Sequence, residues 1–217
     1  MRKKTICIAL IVITILQSFC VFAGDYTSSD PNKNSTYNRG TAYDYAYNWY
    51  YRRNITEYYD AGADCTNFVS QCLEKGGIGR IAISNYEDIN GWRPHSATWE
   101  GAHFFRKHWG HVHESTTVGI NRAYSYKVYT VDSALANFSS LYYDLWQGDI
   151  IQHAYSDGET YHSQFVYGFP AYGGNLDITV AQHSGDVLRS LKDHLQSKQQ
   201  SGFGSDYVFV YKIKNGY

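Results

Sequence analysis

ADCTNFVSQCLEKGG, residues 63–77, reads as one short helix with defined ends. Asp64 stands at an N-cap position, Phe68, Val69, Cys72 and Leu73 repeat on one face, and Gly76-Gly77 follows as a C-cap would. Two cysteines seven positions apart on a helix have Cα atoms about 10 Å apart. A disulfide tolerates at most about 7 Å. Cys65 and Cys72 are therefore expected as free thiols, and Cys65 falls in the first turn. There the positive end of the helix dipole favours a thiolate, and unsatisfied N–H groups can receive a developing oxyanion. Cys72, on the Phe68 side, is expected as a small buried hydrophobe.

Upstream, RGTAYDYAYNWYYRR (39–53) places Ala42, Tyr45, Ala46, Trp49 and Tyr50 at helical spacing, an aromatic stripe for a core. Residues 78–147 predict one helix near Ala97 to His108 inside a longer insertion rich in tryptophan. The period then changes. GDIIQHAY (148–155), a turn at Asp157-Gly158 and YHSQFVYGF (161–169) read as a hairpin, followed by DITVAQHS (177–184) and YVFVYKI (207–213) as strands. Helices followed by an antiparallel sheet predict an α+β domain in which the two halves pack together.

The ends of the chain bear on where it works. Arg2, Lys3 and Lys4 precede an apolar run from Ile6 to Leu16, and Val21-Phe22-Ala23 offers a small-residue cleavage site. Residues 1–23 read as a cleaved signal peptide, residues 24–37 as a flexible polar lead-in, and 38–217 as one domain. The expected product is secreted, extracellular or cell-wall associated, with no stable membrane anchor. Cleavage would remove Cys7, Cys20 and three positive charges from a chain of formal charge −1. That balance excludes a basic nucleic-acid surface. The N-x-[ST] triplets at Asn34, Asn54 and Asn137 matter only in a glycosylating pathway.

A nucleophilic cysteine needs a base and a group to orient that base. His162 on the second strand and His183 at the end of the third are the available partners. A rival cluster, HWGHVHE, sets His108, His111, His113 and Glu114 within seven residues, a possible zinc site. His113 does not share the face of His108 and His111, so this stretch is expected to be a solvated loop and no metal is called for.

GADCTNFVSQCLEKGG resembles the signature of the bacterial putative amidase domain family. NRGTAYDYAYNWYYRRN resembles its leading helix, Trp92 to Trp99 its tryptophan-bearing insertion, GDII with YHSQFVYG its first hairpin, and AQHSGD its next strand. The family is similar to NlpC-type and CHAP cell-wall enzymes with a papain-like core. The resemblance implies Cys65 as nucleophile, His162 as base and His183 as the orienting residue, with Asp64 in support. It also implies an oxyanion side chain upstream, for which Tyr58 and Tyr59 both stand as candidates. It implies no cofactor, a peptide or peptidoglycan substrate and a monomer. Two other functions share these residues: a wall-binding module without turnover, and an acyltransferase or transglutaminase using the same thioester.

Overall fold

The computed structural model describes residues 24–114, 117–172 and 174–217; the expected signal peptide lies outside the described residues. In chain order the elements are β1 (Tyr26–Thr27), α1 (Arg39–Trp49), α2 (Cys65–Lys75), α3 (Ala97–Glu100), α4 (Ala102–Trp109), β2 (His113–Glu114), β3 (Thr117–Val118) and β4 (Ser125–Thr130). They continue with α5 (Val131–Ala136), α6 (Phe138–Asp144), β5 (Ile150–Ala154), β6 (Thr160–Gly168), β7 (Ala171–Tyr172) and β8 (Asn175–Leu176). The last four are β9 (Thr179–Gln182), β10 (Val187–Ser190), α7 (Leu191–Gln200) and β11 (Tyr207–Lys212). The fold is α+β, as the sequence predicts. Its main sheet has the order β1-β4-β11-β5-β6-β9-β10, antiparallel throughout.

Strand alternation sorts the core into two layers. Phe165, Ala181, Phe209 and Tyr211 face α1, α2 and α4, where Phe68, Leu73, Trp92, Trp99 and Trp109 are buried. Val166, Val180, Val208 and Val210 face the other way, toward Val131, Leu141, Leu191 and Leu195 of α5, α6 and α7. Each fully buried side chain of this size stabilises the fold by roughly 1.5–3 kcal/mol. Helices thus cover both faces of the sheet. The expectation of one helical half against one sheet omitted the second layer.

Three boundaries also differ from expectation. Helix α1 ends at Trp49, whose carbonyl is taken by His183, rather than near Arg53. The helix expected from Ala97 to His108 is broken at Gly101, whose N–H closes α3 on Ala97 O and which then serves as N-cap of α4. Residues 24–37, expected as a flexible lead-in, are tied to the body: β1 pairs with β4, Asn34 donates to the Arg122 and Ile213 carbonyls, and Tyr37 is buried.

Helix α2 packs on β6. Its C-terminal end is a Schellman motif: Gly77 N–H bonds Glu74 O (2.8 Å), Ile78 N–H bonds Leu73 O (3.1 Å), and Gly77 takes φ +98°. Its buried polar residues lock it in place. Ser70 donates to Trp99 O (2.8 Å), and Trp99 Nε1 donates to Asn67 Oδ1 (2.6 Å).

Candidate active site

Cys65 opens α2 and is 7 % exposed. Asp64 occupies the N-cap position but makes no capping hydrogen bond. Its carboxylate instead accepts from Asn67 Nδ2 (2.6 Å) and from His183 Nδ1. The first-turn N–H groups of α2 are consequently not engaged by the cap, as an oxyanion site requires.

The thiol meets the sheet where β9 has stopped. Val166 exchanges hydrogen bonds with Gly148 and Asp149 on the β5 side. By strand alternation, Ser163 N–H points to the β9 side. Continuing the β6–β9 register would set Ser163 opposite His183, but β9 ends at Gln182. The chain turns there, with Gly185 and Asp186 at φ +89° and +47°. The vacated N–H of Ser163 is left to face the Cys65 thiol and helps lower its pKa, and the Ser163 hydroxyl meets Thr66 Oγ1 at 2.8 Å.

His162 also acts on the thiol, as does the Thr66 hydroxyl 3.7 Å from the sulfur. Burial alone pushes the Cys65 thiol up; the hydrogen bond and charge of His162, with the Ser163 N–H and the Thr66 hydroxyl, outweigh it, and the net pKa is lowered. Cys72 has only burial acting strongly on it and is pushed well up. Both thiols are free.

His162 Nε2 donates to Gln182 Oε1 at 3.1 Å, which leaves Nδ1 for the thiol. The amide of Gln182 is itself fixed. Its Nε2 donates to Ser184 O (2.8 Å), and its Oε1 also accepts from Gln164 Nε2 (2.6 Å). Gln164 Oε1 in turn accepts from His153 Nε2 (2.8 Å). A chain of directed amides therefore runs from the imidazole into the protein.

His183, expected to orient His162, does not touch it. Its Nδ1 faces Asp64 and its Nε2 donates to Trp49 O (2.7 Å), while its ring stacks on Phe68 at 4.1 Å. The adjacent Gln182 makes the orienting contact. The reason is the two-residue period of a strand, which turns neighbours to opposite faces.

Tyr58 donates its hydroxyl to Glu74 (2.6 Å). The Tyr59 hydroxyl is buried without a partner among the described residues, and its ring stacks on His95 at 3.9 Å. Neither tyrosine lines the cleft that opens beside Cys65, so the geometry does not join Tyr59 to the thiol. The HWGHVHE stretch is likewise not the solvated loop expected of it. His108 is buried in α4, hydrogen-bonded to Ile89 O (2.7 Å), with burial lowering its pKa to about 4. His111 meets Asn121 (3.1 Å); the side chains of His113 and Glu114 lie outside the described residues. Among the described residues no group of three or more His, Cys, Asp or Glu is placed to hold a metal ion.

A buried thiol at a helix start, lowered by an imidazole that an amide holds in place, defines the candidate site on this α+β scaffold. A family model described as Putative amidase domain matches residues 36–205, and the chain belongs to that family. Its name implies an amidase-type hydrolase acting on C–N bonds. No curated protein and no solved structure gives a significant match. Of the site residues expected from the sequence, the structure brings Cys65 and His162 together. Gln182, Gln164, Ser163 and Thr66, which adjoin them, were not expected and carry no titratable signature.

Proposed function

We propose that the protein is a secreted, papain-like cysteine amidase or peptidase that hydrolyses an amide bond in cell-wall peptidoglycan. The observation that carries this reading is the contact series Cys65–His162–Gln182 at the start of α2.

The proposed chemistry uses these contacts. The Cys65 thiolate attacks the amide carbonyl, and the first-turn N–H groups of α2 receive the negative oxygen. His162, having taken the thiol proton, delivers it to the leaving amine as the C–N bond breaks, giving a thioester. Water then attacks the thioester while His162 takes its proton, and the acid leaves as the thiol is restored. Gln182 keeps Nε2–H of His162 directed away from the sulfur throughout. The cell-wall substrate and the export are supported by the basic and apolar pattern of residues 1–23 and by the likeness to NlpC-type enzymes.

Purified peptidoglycan digested with the protein should release fragments with a new free amine and a new carboxyl, seen by mass spectrometry. Cys65→Ala should release none, and His162→Asn should fall by roughly 10²–10⁴-fold. In the folded protein near pH 6, iodoacetamide should label Cys65 at least about tenfold faster than Cys72, since the one thiol is lowered and the other raised. Equal labelling rates would remove the basis for a nucleophile.

A further inference from the structure

The cleft beside Cys65 has a volume of about 320 Å³ and is walled by the α3–α4 junction on one side and the start of β6 on the other. Five oxygen-bearing side chains line it: Thr66, Glu100, Glu159, Thr160 and Tyr161. Thr160 is 3 % exposed, yet its Oγ1 has no hydrogen-bond partner among the described residues. A buried hydroxyl left in that state costs about 1–3 kcal/mol. Glu100 accepts from the Tyr86 hydroxyl (2.6 Å) through Oε1, and among the described residues no cation pairs with it. Glu159 stands at the rim, 59 % exposed, with His103 Nδ1 3.3 Å away. The lysine that reaches this wall, Lys198 on the Tyr161 hydroxyl (2.6 Å), is neutralised by Asp206 (2.7 Å). Between these acceptors Ala63, Ala102 and Phe104 supply apolar surface.

We propose that this cleft selects substrates that carry a primary ammonium group on a short aliphatic stem next to the scissile amide. An ammonium offers three donors and no acceptor. Among the described residues the wall offers a carboxylate with no paired cation, a second carboxylate at the rim beside His103, and a hydroxyl without a partner, and its apolar part suits the methylene stem. Burial without an offsetting cation also raises the Glu100 pKa, which an entering ammonium would reverse. The inference rests on Cys65 as the reacting atom, because only then does the cleft hold the groups flanking the scissile bond.

The test uses three thiol reagents of similar size on the full chain. These are 2-aminoethyl methanethiosulfonate (cationic), 2-sulfonatoethyl methanethiosulfonate (anionic) and methyl methanethiosulfonate (neutral). In each, the thiolate attacks the sulfenyl sulfur, a disulfide forms and methanesulfinate leaves. Rates at Cys65 are divided by those of N-acetylcysteine amide in 0.5 M salt, where long-range fields are screened within a few ångströms. The normalised cation-to-anion ratio should be about 10 or more in the wild type. It should drop at least fivefold in Glu100→Gln and at least threefold in Thr160→Val, which changes no charge. A ratio near 1, or one that neither variant alters, overturns the ammonium site. If the neutral reagent reacts with Cys65 no faster than with the free thiol near pH 6, the nucleophile reading fails, and the inference built on it falls with it.

Discussion

Gln182 and His183 are neighbours in the chain with separate tasks. Gln182 Oε1 accepts from His162 Nε2, which leaves Nδ1 as the ring nitrogen for the Cys65 thiol. Both ring nitrogens of His183 face oxygens, Nδ1 the Asp64 carboxylate and Nε2 the Trp49 carbonyl, beside the start of α2. Gln182→Ala should therefore reduce kcat by on the order of 10²-fold through misorientation of His162, with little change in the urea midpoint. His183→Asn should do the reverse. It breaks a buried pair, at a cost of about 3–5 kcal/mol in unfolding free energy, yet leaves the His162 contact intact. A variant pair with these effects exchanged would return the orienting role to His183. The sequence pointed to the wrong neighbour for a physical reason. A one-residue choice on a strand selects the opposite face, and an amide oxygen, unlike an imidazole, announces nothing about proton chemistry. Cys65 was legible because a helix start is written in local residue types.

Among the elements, α2 was read with both its ends because each end has its own chemistry, Asp64 before it and Gly76-Gly77 after. The tightness of that C-terminal end is testable. A Cβ added at Gly76 would come within 2.3 Å of the Tyr37 ring and 3.0 Å of Ala42 Cβ. Tyr37 cannot yield easily, since it is buried and its hydroxyl donates to Gly148 O (2.8 Å). Gly76→Ala should destabilise by about 1–3 kcal/mol through overpacking. Gly79→Ala, where a Cβ meets nothing within 4 Å, should stay within about 0.5 kcal/mol of the wild type. Equal urea midpoints for the two variants would show that α2 is not held against Tyr37. Other elements left weaker marks in the sequence. Helix α7 (LKDHLQSKQQ) buries only Leu191 and Leu195, too narrow an apolar stripe to stand out by period. Helices α5 and α6 are short and meet at Asn137, so neither completes enough turns to declare itself.

At the scale of the whole molecule, the last strand, β11, lies between β4 and β5 at the centre of the sheet. Its alternation was legible, but its place was not, because pairing between segments so far apart in the chain leaves no local pattern. That central sheet encloses histidines whose burial couples stability to pH. His108, on the α4 side, is lowered to about 4 by burial. On the α7 side, burial and then the charges of His194, His162 and Lys198 hold His153 well below the ordinary range. His194, whose ring lies 4.7 Å from that of His153, is lowered to about 4 by burial and then by Arg189, His162 and Lys198. In the unfolded chain each histidine titrates near 6.5. Between about pH 6.5 and 4 the unfolded state therefore binds protons that the folded state refuses, and stability falls as pH falls. Each fully buried histidine contributes a slope of up to about 1.4 kcal/mol per pH unit, and the partly exposed His194 less. Unfolding free energy from urea titrations should thus decline by roughly 3–4 kcal/mol between pH 7 and pH 5. His153→Gln, which keeps a donor toward Gln164, should remove close to one proton from the uptake measured on unfolding at pH 5. A stability that is level or rising on acidification over this window would mean that these imidazoles are charged inside the fold, and that the amide chain from His162 to His153 carries its protons the other way round.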